Sequence, residues 1–216
     1  MQIAIPIFER FTALDAIGPY EVLSRLPGAK VTFVAVQAGP VRTDNHMLAL
    51  HADASLADMP SPDIVVVPGG FGTRELLDDE EMLGWIRRAH ETSQWTTSVC
   101  TGSLLLAAAG LLDGLEATTH WAVRDVLESL GARYVERRVV EQGKIVTAAG
   151  VSAGIDMALT LAAKVAGDEV AQAIQLYIEY DPQPPFDSGT PSKAPAAVMD
   201  LARRAGVTEQ VPGSSG

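Results

Sequence analysis

One cysteine in 216 residues leaves the chain without an internal disulfide. The chain also has no basic, apolar leader ahead of the strand-like run Ile3-Ala4-Ile5-Pro6-Ile7-Phe8, so the expected location is the cytoplasm. Basic residues are scarce: 16 Lys and Arg stand against 27 Asp and Glu, for a net charge of −11. That balance argues against nucleic acid or an anionic membrane surface as partner, since both need a basic face. No apolar run approaches the roughly 20 residues of a membrane span. The histidines number only 4, and none joins the cysteine or the carboxylates at metal-ligand spacing. No metal is expected, and no cofactor.

What is present is ample for a core: 47% of the residues are hydrophobic and 20% charged. Short β-branched runs alternate with helical stretches. Strands are expected over 3–8, 30–36, 63–67, 96–100, 117–120, 133–141 and 144–149. Helices are expected over 16–26, 79–93, 101–110, 122–130, 152–165, 169–180 and 196–205. The pattern predicts an α/β fold whose mostly parallel sheet carries helices on both faces. One domain is expected over 1–207, with a loose tail at 208–216. Asp181 to Pro195 is rich in proline and expected to be extended, lying along the body or along a partner subunit near Tyr177 and Tyr180.

Cys100 is the most informative residue. Thr96 to Cys100 reads as a strand, and the helix from Thr101 begins at once. A nucleophile on such an elbow stands above the carboxyl edge of a parallel sheet, with the first free N–H groups of the helix beneath it. Those donors favour thiolate over thiol, so a pKa below the free value of about 8.5 is expected. The competing reading is a buried small hydrophobe.

Other residues at that edge carry two readings each. Asp15, in an apolar stretch ahead of the first helix, is either an N-cap or a member of the site. Gly69-Gly70 is either a tight turn or a source of N–H groups for charge developing on a substrate. Thr101 offers its own N–H and a hydroxyl. His120 either orients Cys100 in a Cys–His dyad or caps the next helix. Ile17, Phe71 and Trp121 are candidates for an apolar wall. His46, His51 and His90 are expected to be solvated.

Pro68-Gly69-Gly70, Ser98-Val99-Cys100-Thr101-Gly102, Ala117-Thr118-Thr119-His120-Trp121 and Gly150-Val151-Ser152-Ala153-Gly154-Ile155-Asp156 together resemble the ThiJ/PfpI superfamily. The resemblance runs from the first strand through Ala205. It implies a flavodoxin-like, type-one glutamine amidotransferase-like fold and a homodimer. Within the superfamily the chain is most similar to the isonitrile hydratases, in which the position of Asp15 is also an aspartate. That similarity implies a small-molecule substrate, an isonitrile, hydrated to a formamide by Cys100 with Asp15 as acid and base. A cofactor-free glyoxalase or amide hydrolase on the same residues stays open. So does a cysteine redox sensor or small-molecule-binding dimer, although no resolving cysteine is present.

Overall fold

The run Ile64-Val65-Val66-Val67 is buried on both faces, as the strand at the centre of a parallel sheet must be. A computed structural model describes residues 1–208, with side chains through Ala205. Seven strands form the main sheet: β1 (Gln2–Pro6), β2 (Lys30–Ala35), β5 (Ala54–Ser55), β6 (Ile64–Val67), β7 (Trp95–Val99), β10 (Val139–Gln142) and β11 (Ile145–Ala148). Their order is β10-β11-β7-β6-β1-β2-β5. Every neighbouring pair is parallel except the hairpin β10–β11. A separate hairpin pairs β3 (Gly39–Arg42) with β4 (Ala49–Ala52), and β8 (Glu116–Ala117) pairs with β9 (Arg133–Tyr134).

The helices are α1 (Ala13–Leu23), α2 (Glu80–Thr92), α3 (Gly102–Ala108), α4 (Arg124–Ser129), α5 (Ala153–Ala166), α6 (Asp168–Tyr177) and α7 (Ala196–Thr208). The first six form two packed groups, α1 with α5 and α6, and α2 with α3 and α4. The sequence pattern of α2 shows why. Asp79 caps its start by accepting from Met82 N–H at 2.9 Å, and Met82, Leu83, Ile86 and Ala89 make its buried face. At its other end Lys144 Nζ donates to the carbonyls of His90 and Ser93. A cation there suits the negative end of a helix.

The chain divides into two compact units, Met1–Glu179 and Tyr180–Gly216. The first holds the whole sheet. In the second, residues 181–195 adopt no helix or strand, as the prolines suggest, and α7 runs on to Thr208. The remainder of the expected tail, 209–216, lies outside the described residues. Among the described residues no helix is long and apolar enough to cross a membrane.

Two expected strands are shorter than the sequence suggests. The run 133–141 breaks into β9 and β10 because Glu136, Arg137 and Arg138 are exposed and charged, which a sheet interior would not accept. The strand at 117–120 stops after Ala117. Thr118 N–H then donates to Thr147 Oγ1 at 3.0 Å, and Thr119 Oγ1 donates to the carbonyl of Cys100, also at 3.0 Å.

Candidate active site

The carboxyl ends of β1, β6, β7 and β11, consecutive neighbours in the sheet, bring four segments together. They lead respectively to Asp15, Gly69-Gly70, Cys100 and Gly150-Val151. The chain leaves β1 towards one edge of the sheet and β6 towards the other, and the crevice at such a reversal is where open α/β sheets bind ligands.

Cys100 sits at φ 57°, the left-handed region that side-chain-bearing residues avoid. Strain of this kind costs about 1–3 kcal/mol and persists only where neighbours over-determine it. Here they do. Cys100 N–H donates to the carbonyls of Ala148 and Ala149 at 3.1 and 2.9 Å. The Cys100 carbonyl accepts from Ser103 Oγ at 3.1 Å as well as from Thr119. The backbone N–H groups of Thr101 and Val151 both point at the sulfur. Val151 is itself at φ 29°.

Asp15 lies in the first turn of α1 and is wholly buried. It does not cap that helix: the N-cap is Thr12. Instead Asp15 Oδ2 accepts from Gly69 N–H at 2.9 Å, while Oδ1 is buried without a hydrogen bond of ordinary geometry to any of the described residues. The carboxyl stands close enough to Cys100 for each to shift the other's titration. Burial, and secondarily the charge of Asp44, push Asp15 up from 3.8 to about 7, against the bonds from Gly69 and Cys100 that pull it down.

The thiol goes the opposite way from the expected thiolate. With 5% of its surface exposed, Cys100 is pushed well above the ordinary thiol range by burial and then by the Asp15 carboxylate. The N–H groups of Val151 and Thr101 oppose this but do not outweigh it. Desolvation of a thiolate beside a carboxylate exceeds the help of two peptide dipoles.

The glycine turn also differs from expectation. The N–H groups of Gly69 and Gly70 are committed within the protein, Gly69 to Asp15 and Gly70 to Thr101 Oγ1 at 2.8 Å, so neither is free to bind an oxyanion. Thr101 Oγ1 in turn donates to the Gly70 carbonyl at 3.1 Å, which closes a reciprocal clamp. The Thr101 hydroxyl is therefore structural, and its N–H is the part that faces the sulfur. Only glycine fits this clamp. A methyl group on Gly69 would stand 2.5 Å from Thr101 N, and one on Gly70, at φ 140°, would stand 2.4 Å from the Arg10 carbonyl.

His120 takes the capping role. Its Nδ1 accepts from Ala122 N–H at 3.3 Å, and it makes no hydrogen bond with Cys100. Burial, then the charge of Arg74, lower its pKa. Trp121 lies against it, ring centroids 5.4 Å apart. Ile17, Phe71 and Trp121 are each half-buried. His46 and His51 are exposed in the β3–β4 hairpin, but His90 is partly buried with Nδ1 2.9 Å from Thr96 Oγ1, and its pKa is lowered by burial and then by Lys144. Val151, Thr119 and Ser103 are the site residues that sequence reasoning left without roles. The first two lie within motifs of the superfamily resemblance, but nothing local to either says that it faces Cys100.

The family model for the DJ-1/PfpI family matches residues 1–164. The chain belongs to the DJ-1/PfpI family. It is 48% identical over 204 residues to an isonitrile hydratase of Pseudomonas putida, covering 94% of this chain and 89% of that one. It is 30% identical over 171 residues to the HTH-type transcriptional regulator CdhR of Pseudomonas aeruginosa, covering 77% of this chain and 50% of the regulator. Among solved structures, a ThiJ/PfpI family protein from Pseudomonas syringae superposes with a TM-score of 0.91 at 37% identity, covering 97% of this chain and 87% of that one. DJ-1beta of Drosophila melanogaster shares the fold at a TM-score of 0.75 and 23% identity, over 82% of this chain and 97% of that one. The DJ-1/PfpI fold thus accounts for the sheet order and for the elbow at Cys100.

Proposed function

We propose that this DJ-1/PfpI protein is an isonitrile hydratase, converting R–N≡C and water to R–NH–CHO. The observation that carries the reading is the buried Asp15–Cys100 pair in a chain that aligns over 94% of its length, at 48% identity, with an isonitrile hydratase.

The terminal carbon of an isonitrile must gain both a nucleophile and a proton. Just above pH 7 the pair holds one proton, on the thiol, since Asp15 titrates near 7 and the thiol is pushed well above its ordinary range. As Cys100 sulfur bonds to the carbon, the thiol proton passes to Asp15 Oδ1, the oxygen without a protein partner. Asp15 delivers that proton to the same carbon, giving the thioimidate R–N=CH–S–Cys100. Asp15, again a carboxylate, takes a proton from water as the hydroxyl adds to the carbon, and passes it to nitrogen. The C–S bond then breaks, nitrogen's lone pair and the new hydroxyl forming the formamide. The hydroxyl proton returns to the pair. A carboxyl held near 7 is suited to serve first as base and then as acid. The N–H groups of Thr101 and Val151 steady the sulfur as it gains and loses charge.

The same geometry disfavours a redox sensor, because such a cysteine needs an exposed thiolate. We further propose a homodimer. Leu176 and Tyr177 on α6 are 78% and 75% exposed, a large apolar pair for a lone surface. Incubating the purified protein with cyclohexyl isocyanide tests the activity. Stoichiometric N-cyclohexylformamide is expected, and none from Cys100→Ala.

A further inference from the structure

Arg74 follows Gly70 by four residues and takes no part in the reaction. It belongs to the short helical turn Phe71–Leu76 that follows Gly70. Its guanidinium lies over the Phe71 ring, Cζ 5.3 Å from the centroid, with Arg10 also over that ring at 5.8 Å. Arg10 is spent on Glu75 at 3.1 Å, whereas Arg74 pairs with no carboxylate among the described residues. Asp44, the acid whose charge reaches Asp15, is engaged by Thr12 Oγ1 at 2.8 Å. A guanidinium stacked on an aromatic face is held in place while the edge of its fork stays open to a planar anion.

His120 supplies a second donor, within reach of the Arg74 charge. Because Nδ1 accepts from Ala122, the neutral ring carries its proton on Nε2. The ring is fixed against Gly150, where a methyl group would stand 2.8 Å from His120 Cδ2, and Val151 next in the chain faces the Cys100 sulfur. Burial, and after it the charge of Arg74, lower the His120 pKa and so favour the neutral ring. One donor therefore comes from the turn after β6 and one from the loop after β8, and the reaction at Cys100 uses neither. An isonitrile that places its terminal carbon at Cys100 directs its nitrogen substituent away from the sulfur.

We propose that Arg74, assisted by the Nε2–H of His120, binds a carboxylate on the nitrogen substituent, so that the site selects isonitriles bearing an acid group. The subsite works against a chain of net charge −11, which would otherwise repel such a substrate. The proposal rests on the isonitrile hydratase reading, so its test has one arm that depends on turnover and one that does not.

In the first arm, kcat/KM is measured for isocyanoacetate and for its methyl ester. The wild-type ratio should favour the acid. In Arg74→Gln that ratio should fall roughly 10- to 100-fold, mainly through KM, and Arg74→Lys should restore part of it. The wild-type preference should also weaken as salt rises. In the second arm, Cys100 is alkylated by iodoacetate and by iodoacetamide. Arg74→Gln should lower the rate ratio of the anionic to the neutral reagent in the same direction. Unchanged ratios in both arms overturn the proposal. Turnover of both isonitriles with an unchanged ratio overturns it while leaving the hydratase standing. No turnover of either isonitrile, with a reduced alkylation ratio, leaves the anion subsite standing and overturns isonitrile as the substrate.

Discussion

Asp15 and Cys100 meet in a buried contact where the carboxyl titrates near 7 and the thiol is pushed up by burial and by that carboxylate. The carboxylate makes the thiolate harder to form, while the thiol eases ionisation of Asp15, so above about pH 7 the pair is stable with one proton, held on sulfur. This relationship sets the chemistry, its pH dependence and part of the stability of the fold.

Asp15→Asn keeps the shape of the side chain and an oxygen for Gly69 N–H but moves no proton. Turnover of cyclohexyl isocyanide should drop roughly 10²–10⁴-fold, the usual share of general acid–base catalysis. Near-full activity in steady-state assays would require another proton donor.

The same substitution should alter stability in a pH-dependent way. Folded Asp15 titrates near 7 against an ordinary 3.8. Between those values the folded chain holds more protons than the unfolded chain, so wild-type stability falls as pH rises through that window and levels off above it. Asp15→Asn should therefore gain on the wild type toward about pH 8, by up to about 4 kcal/mol, and show little gain near pH 4. Urea denaturation at both pH values measures this. A pH-independent difference would contradict the raised carboxyl.

The reactive form of the pair carries one proton, and a second proton enters on Asp15 near 7. The kcat/KM profile should accordingly fall on the acid side with an apparent pKa of about 7. Alkylation of Cys100 by iodoacetamide should be slow near neutrality and keep rising beyond about pH 8.5, where a free thiol levels off. A plateau below that value would show that the dipoles at the elbow win after all.

Thr101→Val removes the hydroxyl that accepts from Gly70 N–H. A buried N–H left unpaired costs about 1–3 kcal/mol. Thermal melts should show that loss, with turnover reduced because Gly69 and Asp15 lose their support. Thr101→Ser should recover most of both. Equal activity in Thr101→Val and wild type would argue that the clamp does not position the pair.

A dimer is expected at micromolar concentration in sedimentation equilibrium. Leu176→Glu on the exposed face of α6 should shift it toward monomer. A monomeric wild type would remove the proposal.

The architecture was legible in the amino-acid order because its signals are local. Ile3 to Ile5 and Ile64 to Val67 are apolar on both faces, and only a central parallel strand buries both. Asp79 and the Met82, Leu83, Ile86, Ala89 stripe marked α2 closely. The strand-to-helix junction at Cys100 was legible for the same reason. How distant segments share donors and solvent was not legible there and came from the assembled fold. Gly69 and Asp15 lie 54 residues apart, and Gly70 and Thr101 lie 31 apart, yet each pair exchanges a hydrogen bond that spends an N–H the sequence left free. The thiol's pKa is governed by burial and by a carboxylate brought from another strand end, both long-range, whereas the helix start that argued for a thiolate is local. His120 likewise looked equally able to reach the cysteine or to cap, and the chain's own next turn, through Ala122, took it. Periodicity and turn chemistry fix elements over a few residues. Protonation and donor use depend on which elements converge, and that is settled only when the sheet is assembled.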